Sequence, residues 1–456
     1  MYYPIKLVIN SQLESTTNKE EVIKVLTNNH LQYHDNEEKG LIQVFSRFEK
    51  NNKSEIEKEC RSLVINYEGK IINYTFNDPI YNNDARHHYL SLDESNMKYY
   101  KSYDGTLLSV FHYNGEWFYS TRRCLDADKS VFKSEKSHYQ MFMECLEEMS
   151  LDKDSFEACL DTNHTYHFVL IHHQNYHHVN YKNRFGDNYK KLILINIRKQ
   201  DNQYPIKFEL DNLKMFIKDV LLEKLSLPEE VDGLSYIDKL NEKEFNNLYP
   251  EEEGIIINCY QNEKMEILKM QSVEFLFHQT MEIKNNLYHG MINLYQNNNL
   301  KDCINYSMFK DKNKINFQNK YYDIVGIIDA TFKVLTSEFL ELFKLLWNVK
   351  TGKKQNEQVY ENLPDTYKDI LFNIRGVYFV KKAKYIQAKK DNIIIENKKE
   401  YILTISDIYH LLKSIDSNKI VELIKDRKKV INTNEIISSK CEKRTLYLIN
   451  IFDQVI

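Results

Sequence analysis

Two strand-like runs separated by Asn114-Gly115 constrain the fold of this chain more than any other feature. From Leu107 to Arg123, apolar and polar residues roughly alternate on either side of that dipeptide. Asn-Gly tolerates the two positive φ angles of a type I′ turn, whose twist suits a two-residue hairpin loop. The segment therefore predicts an antiparallel β-hairpin.

Directly before this hairpin stands the run Lys101-Ser102-Tyr103-Asp104-Gly105-Thr106. It places a lysine, an acid and a glycine turn within one short stretch. A lysine at the mouth of a strand can attack a phosphorus or carbonyl centre once its pKa falls. Lys101 is therefore the first candidate nucleophile.

The composition excludes several classes of protein. The 456 residues are 42% hydrophobic and 28% charged, which is typical of a soluble globular chain with two or three domains. A net charge of −4 gives no global attraction to nucleic acid, so such binding must come from local basic patches. Seven scattered cysteines without a Cys-x-x-Cys pair predict reduced thiols. No apolar run reaches the ~18 residues of a membrane helix, and no signal peptide is recognisable, so we expect a cytoplasmic protein without a membrane partner.

The pattern of elements changes near residue 275. Residues 1–275 predict an α+β domain of antiparallel sheets with flanking helices, because short strands come in pairs with small turns. Residues 276–456 carry helical periodicity with little alternation, which predicts a mostly α-helical second domain. The expected strands are Ser62–Asn66, Lys70–Phe76, Leu107–Tyr113, Trp117–Thr121, Tyr166–Ile171, Leu192–Ile197, Gly254–Cys259 and Glu266–Met270. The expected helices are Ser137–Met149, Asp211–Leu225, Phe275–Tyr295, Ala330–Val349, Pro364–Ile374, Ser406–Ile415 and Arg444–Phe452, with a loop at Lys350–Gln358.

Four further motifs share the chemical theme of Lys101. They are Glu59-Cys60-Arg61 before an apolar strand, the segment Phe168–Tyr181 with a strand and an asparagine, Glu253-Gly254 at the start of a buried strand, and Lys269 on the following strand. Such a set suits phosphoryl transfer, because a lysine can attack, a carboxylate can hold a hard cation, and arginine and lysine neutralise phosphate oxygens.

In this order, the motifs resemble those of the lysine nucleotidyltransferases, which include ATP-dependent ligases and mRNA capping enzymes. Glu59-Cys60-Arg61 and the segment Phe168–Tyr181 are most similar to RNA ligases of the T-even phage RNA ligase 1 type. The resemblance covers residues 40–275 and implies a nucleotidyltransferase domain with an ATP-grasp-like ligase core. A helical tail favours RNA ligases over the capping enzymes and DNA ligases, whose tail is an OB fold, and implies an RNA-specificity domain.

The resemblance also implies a reaction and its residues. ATP would adenylylate a lysine, the AMP would pass to an RNA 5′-phosphate, and an RNA 3′-hydroxyl would displace it, which suggests a part in RNA repair. The implied catalytic residues are Lys101, Asp104 and Lys269. The implied nucleotide contacts are Arg61, Lys101, Gly105, Glu253 and Lys269, and Glu253 would engage Mg²⁺, or Mn²⁺ in its place, through the metal's water shell.

Three positions depart from the family pattern, and all of them bear on chemistry. The family motif is Lys-x-Asp-Gly, so Ser102 holds the nucleophile's position and Lys101 lies one residue early. In an extended strand, that step turns Lys101 to the opposite face unless a bulge intervenes. Gln271 stands where the family has a second basic residue, and Val169 where it has an acid. Two alternatives therefore stay open, namely a catalytically impaired nucleotide- or RNA-binding paralogue and a GTP-dependent capping-type guanylyltransferase.

Two other features invite a functional interpretation. Six histidines lie between His164 and His178, but no cysteine or carboxylate accompanies them, and His172-His173 would point to opposite faces of a strand. An RNA-contacting or polar surface is therefore favoured over a zinc site. The segments Tyr181–Phe185 and Tyr378–Lys390 mix cations with aromatic rings, which suits phosphates and bases but equally a solvated face in a chain rich in lysine and tyrosine.

Overall fold

The computed structural model describes residues 2–46, 53–242, 250–284, 287–305, 314–317, 320–348, 353–391 and 398–433. The chain divides into two compact units, Met1–His278 and Gln279–Ile456. Within the described ranges, none of the helices has the length and apolar character required to cross a membrane.

Twelve strands form the framework of the described part of the first unit. They are β1 Gln32–Asn36, β2 Leu41–Phe45, β3 Leu63–Asn66, β4 Ile71–Tyr74, β5 Ile80–Tyr81, β6 Met97–Ser102, β7 Thr106–Tyr113, β8 Glu116–Thr121, β9 His164–His172, β10 Lys190–Lys199, β11 Gly254–Gln261 and β12 Lys264–Gln271. They build three sheets in the orders β1-β2-β3-β4, β10-β9-β7-β8 and β5-β12-β11-β6. Neighbouring strands are antiparallel, except that β5 runs parallel to β12.

The hairpin predicted at Asn114-Gly115 is confirmed. β7 and β8 pair in antiparallel register up to Tyr113 and Glu116. Asn114 and Gly115 have φ angles of 49° and 85°, the two positive values that a type I′ turn requires. The other expected strands also overlap observed ones, whereas β1, β2, β5 and β6 were not among the expected strands.

Helices flank the sheets of the first unit. They are Val8–Leu13, Lys19–Asn28, Glu55–Glu59, Asn82–Tyr89, His138–Glu148, Lys153–Glu157, Lys182–Phe185, Leu210–Leu213, Asp219–Leu222 and Gly233–Glu242. The helix His138–Glu148 begins at a capping box, since the Ser137 hydroxyl accepts the Gln140 N–H at 3.1 Å and the Gln140 side chain accepts the Ser137 N–H at 2.9 Å. Its Phe142 ring packs against Phe168 of β9, with 5.7 Å between centroids, in the core of this unit.

The expected helix Asp211–Leu225 is wrong. Two single-turn helices, Leu210–Leu213 and Asp219–Leu222, take its place. Between them the Lys218 N–H donates to the Cys159 carbonyl at 3.0 Å, so the backbone there pairs with a distant segment instead of continuing a helix. Apolar residues at helical spacing can bury themselves in separate turns once tertiary pairing satisfies the backbone.

The described part of the second unit consists mainly of helices. They are Leu287–Gln296, Leu300–Asn305, Ile324–Leu346, Glu357–Glu361, Asp365–Lys390, Ile405–Ser414 and Ser417–Thr433, while Val273–Lys284 spans the boundary between the units. An unexpected hairpin of β13 Lys314–Phe317 and β14 Lys320–Asp323 precedes the helix Ile324–Leu346. The Asp323 carboxylate caps that helix by accepting the Val325 and Gly326 N–H groups at 3.3 and 3.2 Å.

Some expected elements of the second unit differ in extent. The expected helix Phe275–Tyr295 corresponds to two helices on either side of residues 285–286, and Pro364–Ile374 is the first part of a longer helix. The expected loop Lys350–Gln358 is described only from residue 353, and its end enters the helix Glu357–Glu361. The expected helix Arg444–Phe452 lies outside the described residues.

Candidate functional site

Strand β6 presents Lys101 and Ser102 on opposite faces of its sheet. Residues 97–102 pair with β11 in one continuous register, in which Lys101 lies opposite Ile255 and Ser102 opposite Gly254. Side chains alternate between the two faces of such a strand. Because no bulge interrupts this pairing, the one-residue offset noted in the sequence is preserved in the fold.

On the face of Ser102, three side chains converge on the carboxylate of Glu253. The Ser102 hydroxyl donates to Oε2 at 2.6 Å, the Lys269 ammonium lies 2.5 Å from Oε1, and the Gln271 amide donates to Oε1 at 3.2 Å. Glu253 is only 3% exposed, so this charge is held away from water. The Lys269 ammonium at this distance offsets the free-energy cost of removing the Glu253 carboxylate from water.

The electrostatics of Lys269 follow from the same contact. Burial acts to lower the pKa of its ammonium, but the charge and hydrogen bond of Glu253 outweigh burial and raise the pKa above its usual value. Lys269 is therefore a firmly protonated cation in this state. It is suited to holding an anion and is not a free amine.

Gly254 explains how Glu253 reaches this position. Its φ of +145° lies outside the range that other residues adopt readily, and a Cβ there would lie 2.1 Å from the Met270 carbonyl oxygen. Only glycine lets the start of β11 approach β12 this closely. The close approach brings Glu253 beside Lys269 and Gln271 at the end of β12.

On the opposite face, acidic and aromatic side chains surround Lys101. Its ammonium lies 2.9 Å from a Glu229 carboxylate oxygen, 3.7 Å from one of Glu252 and 5.4 Å from the centre of the Tyr236 ring. The structure therefore does not bring the Lys101 amine together with Glu253 and Lys269. The nucleophilic role of Lys101 stays a prediction.

Asp104 stabilises the turn between β6 and β7 through hydrogen bonds. Its carboxylate accepts the backbone N–H groups of His178 and Val179 at 2.5 and 3.2 Å, and its own N–H donates to the Tyr181 hydroxyl at 2.7 Å. Burial, and then the negative charge of Glu253, raise the pKa of Asp104 to about 6. Gly105 is the next residue. A Cβ at this position would lie 2.5 Å from the Leu170 carbonyl oxygen, so this turn also depends on glycine.

Arg61 lies in a cationic group at one margin of the site. Its Nε is 3.7 Å from the Asp78 carboxylate, and its guanidinium lies 5.3 Å from the centre of the Phe76 ring. Lys53 also contacts Asp78. Arg122, at the end of β8, donates from Nε to the Arg61 carbonyl at 3.2 Å. Burial and the neighbouring charge of Arg61 lower the pKa of Arg122 to about 10, which shows that positive charge is crowded here.

Arg122 was not among the residues singled out in the sequence. The available signal was the pair Arg122-Arg123 at the end of the predicted hairpin, where a strand end can present cations to a site.

A cavity of about 140 Å³ is lined by residues of two sheets, β5-β12-β11-β6 and β10-β9-β7-β8. Mostly apolar walls with a few polar groups are typical of small-molecule sites, although those usually enclose about 300–1,000 Å³, so a whole nucleotide would extend beyond this cavity. Lys101 borders it although its ammonium is held by Glu229 and Glu252. The other lining residues include Arg61, Phe76, Tyr81, Tyr100, Tyr103, Gly105, Leu107, Val169, Asn196, Ile256 and Lys269.

The residues present do not fit direct coordination of a divalent cation by Glu253. Both carboxylate oxygens already accept contacts from Lys269, Gln271 and Ser102. The apolar Val169 stands where the resembled ligase family carries an acid. Within the described ranges, no cluster of three or more His, Cys, Asp or Glu side chains could hold a metal ion.

The histidine-rich segment forms β9 and the turn after it. The expectation that His172 and His173 point to opposite faces is wrong, since their rings stack with centroids 4.5 Å apart. The strand ends at His172, so the alternation of a strand no longer applies to His173. His172 bonds to Glu144 at 3.1 Å, whereas His164 bonds to the Tyr2 hydroxyl at 2.9 Å, so these histidines serve separate contacts.

The two basic segments lie in different units. Tyr181 is buried at 2% exposure beside Asp104, and Lys182–Phe185 forms a single helical turn. Tyr378–Lys390 is the end of the helix Asp365–Lys390 and leaves Phe379 and Val380 exposed. Contact of either segment with RNA stays a prediction.

No protein family model matches the chain. Over 91 residues it is 29% identical to a protein of Autographa californica nuclear polyhedrosis virus that is described as a bifunctional polynucleotide kinase/RNA ligase. That match covers 18% of this chain and 13% of the viral protein, so the chain spans only about an eighth of that relative's length.

Solved structures that are similar to this chain are ATP-dependent ligases. An archaeal ATP-dependent RNA ligase is 11% identical, with a TM-score of 0.38, over 64% of this chain and 69% of that one. An Aquifex aeolicus protein described as an ATP-dependent DNA ligase is 12% identical, with a TM-score of 0.37, over 64% and 72% of the two chains. A Naegleria gruberi RNA ligase variant with ATP and Mn is 10% identical, with a TM-score of 0.26, over 39% and 51%. Similarity at this level assigns no activity to the chain.

Proposed function

We propose that this protein is a catalytically impaired paralogue of the ATP-dependent RNA ligases of the T-even phage RNA ligase 1 type, and that it binds ATP and RNA ends without forming a lysyl-AMP. The observation that carries the proposal is the position of Ser102. Its hydroxyl, and not the Lys101 amine, lies on the face of Glu253 and Lys269. A lysine nucleophile is what that chemistry needs at this place.

ATP binding is supported by the surroundings of the cavity. Aromatic and apolar walls suit a nucleobase, and Arg61 and Lys269 both line the cavity, where phosphates would need cations. The crowding of Arg122 against Arg61 supplies further positive charge at that margin. RNA with a 5′-phosphate and a 3′-hydroxyl is the proposed partner because of the motifs around Arg61 and the segment Phe168–Tyr181.

A second candidate is the active ATP-dependent RNA ligase, joining those RNA ends through AMP on Lys101 and an RNA-adenylate, with Mg²⁺ as its metal. The grouping of Arg61, Glu253 and Lys269 favours it. This activity requires the Lys101 ammonium to leave Glu229 and Glu252. A one-residue shift in the register of β6 would move the Lys101 side chain to the face of Glu253. The OB fold on which the capping alternative depends is not seen in the described part of the second unit.

Calorimetric titration of the full chain with ATP tests the proposal. We expect wild-type protein to bind ATP, and Arg61→Met to weaken binding by about 10-fold or more, because a charge-assisted hydrogen bond contributes about 1.5–3 kcal/mol. Arg86→Met is the matched control. The Arg86 side chain is 47% exposed, and its guanidinium lies 3.0 Å from a carboxylate oxygen of the half-exposed Asp238. Absence of ATP binding to the wild-type protein would refute the proposal.

A further inference from the structure

We infer that the cavity lined by Arg61 and Lys269 binds a nucleoside triphosphate without a divalent cation. Arginine and lysine side chains of the protein neutralise the phosphates instead. The inference rests on the proposed function, because it specifies the form of the ligand that the site takes. Its starting observation is that the contacts of Glu253 do not suit direct coordination of a metal ion.

The first step concerns the Glu253 carboxylate. Lys269, at 2.5 Å, lies where a cation would have to approach Oε1, and Ser102 takes up Oε2. A divalent ion that coordinated Glu253 directly would have to displace this buried ammonium from its carboxylate. That exchange is strongly unfavourable. Lys269 therefore already serves as the counter-ion of Glu253.

The second step concerns other carboxylates near the cavity. Asp104 is held by two backbone N–H groups, and it faces the negative charge of Glu253. Val169 lines the cavity with a hydrocarbon side chain. Hard cations such as Mg²⁺ need oxygen ligands that remain available for the metal or its waters. Val169 offers no such ligand. Both backbone N–H groups bond to Oδ2 of Asp104, and within the described ranges no cluster of three or more acidic, histidine or cysteine side chains completes a metal site around it.

The third step concerns positive charge. Arg61 and Lys53 share the Asp78 carboxylate, and Arg122 binds the carbonyl of Arg61. Two cations thus share one acid beside the cavity, and the guanidinium of Arg122 lies next to them. Free ATP is more negatively charged than its magnesium complex, so this margin favours the free nucleotide. Arginine forks bind phosphate oxygens directly and need no bridging metal.

Titrating the full chain with ATP in EDTA, and again in excess Mg²⁺, tests the inference. We expect the dissociation constants to agree within about twofold or to be lower in EDTA, and Mn²⁺ alone to show no saturable binding. Binding that weakens by about 10-fold or more in EDTA would overturn the inference while leaving the proposed function intact. Absence of ATP binding in both buffers would instead overturn the proposed function.

Two variants sharpen the result. Glu253→Gln keeps a partner for Ser102 but removes the charge that neutralises Lys269, so ATP binding in EDTA should tighten by several-fold. Glu266→Gln is the matched control on the same sheet, because Glu266 is 38% exposed and pairs with His88. If Glu253→Gln, folded by circular dichroism, loses ATP binding in Mg²⁺, then Glu253 acts through a metal and the inference is wrong.

Discussion

Asp104→Asn should stabilise the first unit at neutral and alkaline pH. Burial and the charge of Glu253 raise the pKa of Asp104 from 3.8 to about 6 in the folded protein. The folded state therefore holds the proton more tightly than the unfolded state, and ionisation at high pH works against folding. The protonated Asp104 side chain thus contributes its full share of stability below pH 3.8, and this contribution is lost as the pH rises through 6.

The magnitude follows from the difference between the two pKa values. A difference of 2.2 units, from 3.8 to about 6, corresponds to about 3 kcal/mol at 1.36 kcal/mol per unit. Asparagine cannot ionise, yet its carbonyl oxygen can still accept the N–H groups of His178 and Val179. We therefore expect Asp104→Asn to raise the free energy of unfolding by about 3 kcal/mol at pH 8, and by less than about 1 kcal/mol at pH 4.

Urea unfolding followed by tryptophan fluorescence measures this change. The chain has two tryptophans, and Trp347→Phe leaves Trp117 as a reporter of the first unit. Asp187→Asn is the control, since Asp187 is 83% exposed and should alter stability by less than about 0.5 kcal/mol at either pH. A loss of stability in Asp104→Asn at pH 8, or an equal gain at both pH values, would refute the reasoning.

Three further variants are tested with the same unfolding assay. Lys269→Met should destabilise the first unit by about 3–5 kcal/mol because it leaves the buried Glu253 without its cation. Lys101→Met should cost less than about 1 kcal/mol because Glu229 is 49% exposed, and equal losses in the two variants would contradict the geometry. Gly105→Ala should cost about 1–3 kcal/mol because its Cβ would meet the Leu170 carbonyl oxygen and the Val169 side chain. An unchanged midpoint in that variant would show that the turn can relax.

Local sequence patterns predict the parts of this fold that depend on neighbours along the chain. The β7–β8 hairpin is specified by alternation and by the dihedral preferences of Asn114-Gly115. β1 has mostly polar residues and lies at a sheet edge, so it carries no apolar alternation to recognise. β2 is buried throughout and apolar except for Gln43, a pattern that periodicity alone does not separate from a helix.

The candidate site divides in the same way. The alternation of side chains along an extended strand predicts that Lys101 and Ser102 point to opposite faces of the sheet. The continuous register of β6 preserves this alternation. The contact between Arg122 and Arg61 joins residues 61 positions apart in the sequence. The pairing of Lys101 with Glu229 is likewise set by the fold and not by spacing. Such partners become visible only when the sheets are assembled.

Covalent labelling by α-labelled ATP in Mg²⁺ tests the central claim most directly. The protein is incubated beside Lys101→Ala, denatured, and examined for retained label, with GTP as a parallel arm and ATP binding confirmed separately. The account predicts that wild-type protein binds ATP but retains no label after denaturation, because Ser102 occupies the nucleophile's position. Label from ATP that survives denaturation and disappears in Lys101→Ala would contradict it and establish the active ligase.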